Sequence, residues 1–325
     1  VLPDDALLAV RGLTVKTGAQ QGEAELISGV SLYLRRGEVL GLVGESGCGK
    51  SMTANAILGL LTNQTRITAG SVKLAGTELV GLDEESLRHI RGARIGMVFQ
   101  DPNSALSPVH TVGTQLCDII RAHRKVSRVQ ARARAVELLD LVGVPDPARR
   151  MQDYPHQFSG GMAQRVVIAG ALACDPQVLI ADEPTTALDV TIQAQVLDLL
   201  ASLRERLGMS ILLITHDLGV VADLCDRVAV MYAGQVVETG SVQETLAAPR
   251  HPYTAALLHA MPRGEPGEGA LSTIAGRVPP AWSWPHGCRF HPRCVHAVAA
   301  CTQAPVALQD GVRCIRIEEL REVRA

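Results

Sequence analysis

The sequence predicts an α/β fold built on a parallel sheet, and three observations carry that prediction. Residues 38–43 (EVLGLV), 178–181 and 211–215 are short, continuous apolar runs, the pattern of strands covered on both faces by helices. Between the last two, Ile192, Val196, Leu199, Leu200 and Leu203 recur at helical spacing within residues 192–207. The first run ends in a glycine-rich turn followed by a helical stretch, residues 51–61, so strands alternate with helices as βαβ units require.

The remaining elements follow in order. Ala233-Gly234, between the runs 228–232 and 235–238, reads as a hairpin turn. The middle, about residues 103–165, is more helical. There Ser127-Arg-Val-Gln130 is a capping box opening a helix that runs through residues 135–139 to Gly143. Arg124, Arg128 and Arg132 fall on one stripe of that pattern and read as a solvated face. After residue 248 the composition changes: the rest of the chain holds nine of 17 Pro, five of ten His, both Trp and four of eight Cys. Residues 261–269 (MPRGEPGEG) read as a linker. The expected organisation is therefore a domain over 1–248 and a small module over 249–325 that relies on something other than a large apolar core.

Composition narrows the function classes. The 31 basic and 33 acidic residues nearly cancel, which argues against a chain that coats nucleic acid or an anionic membrane. Nine aromatic rings in 325 residues make a site of stacked rings unexpected. The first ten residues carry two acids and no basic stretch, so no signal peptide is expected, and no apolar run approaches the length of about 18 residues that spans a bilayer. A reducing compartment follows. There the group Cys288, Cys294, Cys301 and Cys314 reads as a metal site before disulfides, whereas Cys48, Cys117, Cys174 and Cys225 stand alone.

Gly44-Glu-Ser-Gly-Cys-Gly49-Lys50-Ser51 fits the G-x-x-x-x-G-K-S phosphate loop and sits between a strand and a helix, the context that loop needs. Backbone N–H groups wound inward, together with a helix N-terminus, favour a polyanion. Gly44, Ser46, Gly47, Cys48, Gly49, Lys50, Ser51 and Met52 are the candidate nucleotide contacts, with Lys50 reaching the terminal phosphates and the Ser51 hydroxyl ligating Mg²⁺. Cys48 is not expected to be a catalytic thiol. Residues 178–183 (VLIADE) add an apolar strand ending in two carboxylates, Asp182 to hold Mg²⁺ and Glu183 to polarise an attacking water.

At this point the chain resembles the nucleotide-binding subunit of ATP-binding-cassette transporters. Phe158-Ser-Gly-Gly-Met162-Ala-Gln-Arg165 is similar to that family's signature loop, in which Ser159, Gly160 and Gly161 would bind the γ-phosphate held by a second cassette. Met162 stands where the family usually has Gln. Gln100 resembles the loop Gln that senses Mg²⁺ and γ-phosphate, Thr186 to Asp189 the loop crossing the dimer interface, and His216 the switch His. The resemblance implies an ATPase with catalytic Glu183, His216, Gln100 and Lys50, Mg²⁺ on Ser51, Gln100 and Asp182, and Asp189 near the nucleotide. It implies a P-loop, RecA-like core with an N-terminal antiparallel β-region, an inserted helical subdomain and the Cys-rich C-terminal module. One departure stands out: the aromatic on which the family usually stacks adenine aligns with Thr17, and residues 1–32 contain no ring, so weaker base discrimination is expected.

Beyond the cassette, His251-Pro-Tyr-Thr254, residues 276–280 (GRVPP) and Cys288-Arg-Phe-His-Pro-Arg-Cys294 resemble the C-terminal extension of oligopeptide and dipeptide importer ATPases. Members of that group can hold a four-iron–four-sulfur cluster on four such thiolates. Cys₄ also suits zinc, but the spacing C-x5-C-x6-C-x12-C lacks the close pairs of structural zinc sites, and unmetallated thiols are the third possibility. His286, His291 and His296 flank the group and read as surface. A structural staple is the default and a redox sensor the sharper alternative. The implied partners are a second ATP-binding subunit, two transmembrane permease subunits and, indirectly, an extracytoplasmic solute-binding protein, with the chain peripheral on the cytoplasmic face of the membrane. Peptides lead as the solute, with nickel or another small solute behind. A cassette acting on nucleic acid or ribosomes is the rival class, and it lacks the coiled-coil insertion or second cassette such proteins carry.

Overall fold

Helix caps and left-handed turns punctuate the chain in the computed structural model, which describes residues 3, 5–19, 22–186, 188–261 and 273–324. Two compact units emerge, one of Val1–Tyr33, Leu40–Val80 and Thr215–Ala325, the other of Leu34–Val39 and Gly81–Ile214.

In the first unit, strands Gly22–Leu34, Leu8–Ala19, Thr65–Leu74 and Thr77–Glu78 form a sheet in that spatial order. Leu8 to Thr17 runs antiparallel to Thr65–Leu74, with Thr17 opposite Thr65. The register breaks between Arg11 and Val15, where the backbones close up: a Cβ on Gly70 (φ +99°) would lie 2.6 Å from the Gly12 carbonyl oxygen. A second set of strands carries the phosphate-loop sequence. Val39–Val43, wholly buried, pairs parallel with Arg227–Tyr232, which turns through Ala233 and Gly234 (φ +42° and +77°) into antiparallel Gln235–Ser241. Both central residues are left-handed, as a twisted two-residue hairpin demands.

The tail of this unit is sewn to that hairpin. Gly311 O accepts from Thr239 N (2.7 Å) and Arg313 N donates to Val237 O (2.8 Å), which extends the ladder. Glu238 is buried and accepts from the backbone N–H groups of Arg250 (2.8 Å) and His251 (2.9 Å), fixing the entry to helix Pro252–His259. The tail itself has short 3₁₀ turns at Ala281–Ser283, His291–Arg293 and Ala299–Thr302 and a final helix Ile317–Arg324.

The second unit holds parallel strands in the order Ser210–Thr215, Val178–Asp182, Ile95–Val98, with Val178 opposite both Ser210 and Ile95. Helix Gly160–Ala171 lies directly on them: a Cβ on Gly96 would sit 2.4 Å from Ala171 O. Helices Val112–His123 and Arg128–Leu141 complete the helical middle, the latter opened by the expected box, in which Gln130 N donates to Ser127 Oγ (3.2 Å) and Ser127 N to Gln130 Oε1 (2.9 Å). Leu116, Ile120, Ala135, Leu138 and Leu139 are its buried core.

Three expectations need correction. The helix read over 51–61 is Lys50–Ile57, because Gly59 adopts φ +65° and ends it. Arg124 does not continue the stripe of Arg128 and Arg132. It caps the end of the preceding helix and, with Arg134, pairs with the two carboxylate oxygens of Asp175 at 2.6 Å each. Aromatic rings, though few, do converge: Tyr232, Tyr253 and Phe290 meet with centroids 4.6, 5.2 and 5.3 Å apart. Residues 262–269 of the expected linker lie outside the described residues.

Phe290 is 3% exposed and touches both tyrosines. Phe290→Ala is expected to cost about 3 kcal/mol, read as a lower urea midpoint; an unchanged midpoint would show that the ring cluster does not hold the tail.

Candidate functional site

The loop at 44–51 is built by backbone constraint. Gly44 (φ +155°) approaches the neighbouring strand so closely that a Cβ would stand 2.1 Å from Met231 O, and Gly49 (φ +107°) has Ile27 and Met231 side chains 2.9 Å from the same point. Gly49 leads into helix Lys50–Ile57, where Thr53 Oγ1 returns a bond to Gly49 O (2.9 Å). Lys50 is buried and folds back over the loop, Nζ donating to Gly44 O (2.8 Å) and Glu45 O (3.2 Å). Ser51 and Met52 are half-buried in the first turn of that helix, while Ser46 and Gly47 form the exposed tip of the loop, Gly47 at φ +79°. Cys48 is buried, and burial pushes its thiol up to about 11 against the opposing pull of Lys50. It is a neutral packing group, its carbonyl accepting from Gly234 N (2.8 Å).

Glu45, a position free in the loop pattern, is gripped from the tail. Its N–H donates to Tyr253 Oη (2.9 Å), and its carboxylate takes a two-pronged pair from Arg293, Nη1–Oε2 2.7 Å and Nη2–Oε1 3.0 Å. Burial opposes the charge on Arg293, but the Glu45 carboxylate and the Tyr232 hydroxyl together outweigh it and hold the guanidinium above its usual range. Nearby, Arg289 donates to Ala233 O (2.6 Å) and lies 3.5 Å from the Trp284 ring centroid; burial pushes it down to about 10. Sequence reasoning missed Glu45, Tyr253 and Arg293 as site residues. Arg293 inside the Cys288 to Cys294 loop was in view, but no local signal says that it reaches a residue 248 positions away.

In the same unit His216 is exposed just after Thr215, ahead of helix Leu218–Leu224. Asp217 fixes that turn: its carboxylate accepts from Gly219 N (2.7 Å) and its N–H donates to Thr215 Oγ1 (3.0 Å).

The second unit brings a different set together. Asp182 ends the buried strand, and Glu183 follows in a left-handed conformation (φ +46°), unusual for a residue with a Cβ. Its N–H donates to Ile214 O (2.8 Å), and its Oε2 accepts from Gln100 Nε2 (3.0 Å) and Thr186 Oγ1 (2.9 Å). A carboxylate held by two donors on a turned backbone is aimed, not floating. Ser159 caps helix Gly160–Ala171 by accepting from Met162 N (3.4 Å). Gly160 is exposed at its start, whereas Gly161 has no room for a side chain: a Cβ would meet Ile192 Cγ2 at 2.4 Å. Asp189 caps the facing helix Val190–Leu207 through Ile192 N (3.0 Å).

The four clustered thiols share one place. Cys288, Cys294, Cys301 and Cys314 line a single small cavity with His291 and His296. Burial pushes Cys288 up to about 11, and the other three thiols add to the rise. Arg316 N donates to Cys314 Sγ (3.4 Å), His291 Nδ1 lies 2.8 Å from Cys288 O and His286 Nδ1 3.1 Å from Thr302 O, so these histidines brace the turns. Among the described residues no three His, Cys, Asp or Glu side chains converge closely enough to hold one metal ion, so the arrangement does not fit zinc.

Comparison with known proteins agrees in kind. Residues 27–186 match the family model described as ABC transporter, and residues 237–301 match Oligopeptide/dipeptide transporter, C-terminal region. The chain is 47% identical to the dipeptide transport ATP-binding protein DppD of Bacillus subtilis over 91% of this chain and 89% of that protein. It is 46% identical to DppD of Escherichia coli, over 93% of each. The dimeric ATP-binding cassette MJ0796, solved in a post-hydrolysis state with ADP and Pi, superposes with a TM-score of 0.65 at 31% identity, covering 72% of this chain and 98% of that one.

With its thiol near 11, about one Cys48 in a thousand is thiolate at pH 8. Iodoacetamide at that pH is expected to leave Cys48 intact in the native protein and to label it after denaturation, as read by peptide mass spectrometry. Rapid native labelling would contradict its burial.

Proposed function

The chain belongs to the ABC transporter family and has the fold of its ATP-binding cassettes, and on that premise we propose that it is the ATP-hydrolysing subunit of a peptide importer. The observation that carries the enzymatic half is Glu183, held between Gln100 and Thr186 on a left-handed backbone at the end of a buried strand. The loop at Gly44 to Ser51, followed by Met52, receives the phosphates, and Lys50 exchanges its carbonyl partners for the terminal phosphoryl oxygens. Glu183 takes the proton of the attacking water while Gln100 orients that water. His216 contacts the γ-phosphate. Ser51, Asp182 and Gln100 offer the hard oxygen donors that suit Mg²⁺, which when bound neutralises phosphate charge. The helix start at Ser159, Gly160 and Gly161 presents N–H groups to a nucleotide held by a second cassette, with Asp189 at the crossing between the two chains.

The solute half rests on the tail. Similarity to the oligopeptide/dipeptide C-terminal region and to two DppD proteins supports peptides, taken up through two permease subunits supplied with solute by a binding protein. Among the described residues no helix is long and apolar enough to cross a membrane, which suits a chain docked on the cytoplasmic side of a separate permease. We read residues 1–248 as the cassette, with its helical subdomain at about 103–165, and 249–325 as its appended module.

Within that module the four thiols would be the ligands of a four-iron–four-sulfur cluster. Four cysteines around one small cavity match the four-thiolate ligand count that such a cluster would need. When bound, such a cluster ties four turns of the tail to one body, a gain that matters where apolar burial is sparse.

Two measurements test these readings. Glu183→Gln is expected to bind ATP as the wild type does and to lose at least about 100-fold in turnover; turnover within a few-fold of wild type would remove Glu183 as the base. Protein purified anaerobically is expected to show broad visible absorption and about four iron per chain, both lost in Cys301→Ser. Colourless protein with stoichiometric zinc would reject the cluster.

A further inference from the structure

Arg293 sits one residue before Cys294, in the 3₁₀ turn His291–Arg293 of the tail, and its side chain is 5% exposed. Every arm of its guanidinium is engaged. Nε donates to Ala275 O (2.7 Å), Nη2 to Ile274 O (3.2 Å) as well as Glu45 Oε1, and Nη1 to Glu45 Oε2, with Tyr232 Oη at 3.5 Å. A fork so anchored is preorganised, and one carboxylate fills its outer edge.

That carboxylate is in an unexpected place. Glu45 directly follows Gly44, inside the loop read above as the receiver of a polyphosphate, where an uncompensated negative charge repels the ligand. Arg293 cancels that charge and, with Tyr253 on the Glu45 N–H, fixes the backbone on which the phosphate-binding N–H groups are strung.

We infer that Arg293 is a positioning residue for nucleotide binding: from the cysteine-rich tail it neutralises and immobilises Glu45, so that the tail sets the affinity of the phosphate loop. The inference rests on the reading of residues 44–51 as a nucleotide site. It touches affinity rather than chemistry, since neither side chain contacts the water or the transferred phosphoryl in that reading. The loss therefore falls on KM, with kcat at saturating ATP nearly kept.

The test is a double-mutant cycle on the full chain, with the Kd for a fluorescent ATP analogue and the KM and kcat for ATP measured at low salt. Arg293→Gln leaves Glu45 uncompensated and is expected to raise Kd and KM about tenfold, with kcat within about twofold of wild type. Adding Glu45→Gln removes the offending charge, so the double variant is expected to bind several-fold more tightly than Arg293→Gln alone, a rescue that a purely structural loss does not give. The penalty of Arg293→Gln is also expected to shrink as salt rises. Unchanged Kd in Arg293→Gln, or a double variant no tighter than that single one, would overturn the inference. Should Arg293→Gln not fold, Arg293→Lys decides: the retained charge is expected to hold Kd within about threefold of wild type, and a tenfold loss goes against charge compensation. A wild type that binds no ATP analogue would remove the nucleotide reading itself, and this inference with it.

Discussion

The close approach of Gly44 to Met231 governs much of the first unit. A backbone that passes so near a neighbouring carbonyl admits no Cβ, so the loop after Val39–Val43 is cast against the strand Arg227–Tyr232. Because that strand turns at once into Gln235–Ser241, the loop, the hairpin and whatever is pinned to the hairpin share one frame. The tail is pinned there three times over: by the ladder at Thr239 and Val237, by buried Glu238 under the start of helix Pro252–His259, and by Phe290 between two tyrosines. The cysteine-rich segment is thus bound to the wall against which the phosphate loop is shaped, even though it comes last in the chain.

The second unit obeys a different logic, in which residues proposed to face a nucleotide are also helix caps. Ser159 and Asp189 each satisfy an orphan N–H at a helix start, a role that explains them without any ligand. The packing between their helices is tight enough that Gly161 tolerates no side chain opposite Ile192. Glu183 is the contrary case. A left-handed backbone costs about 1–2 kcal/mol, and the bonds from Ile214, Thr186 and Gln100 hold the residue there. Capping alone accounts for the first two residues; the strain at Glu183 does not serve the strand that it follows.

What could be read from sequence follows the range of the interactions. Strands 39–43, 178–182 and 210–215, the capping box at Ser127 and the hairpin at Ala233 are set by neighbours within a few positions, so apolar runs and turn residues announce them. The phosphate loop is equally local. Arg124 misled because periodicity alone runs through the helix break that Ser127, the cap of a separate helix, marks. Counting rings showed how few there are, but not that Tyr232, Tyr253 and Phe290, far apart in sequence, meet. The Glu45 to Arg293 pair was beyond reach for the same reason: a charge pair leaves no trace in spacing when its partners are 248 residues apart. The thiols fall between these cases, since their number indicated a metal but their common cavity came only from the fold.

The two tryptophans carry a practical consequence. Trp282 is 73% exposed, while Trp284 is stacked on Arg289 and packed over Gly234 at the tip of the hairpin. No other tryptophan exists in the chain. Its tryptophan emission is therefore a signal from the tail, distinct from that of the cassette helices that dominate circular dichroism. Heating the protein while recording both signals reports separately when the tail lifts off the hairpin and when the cassette helices melt, with no label added.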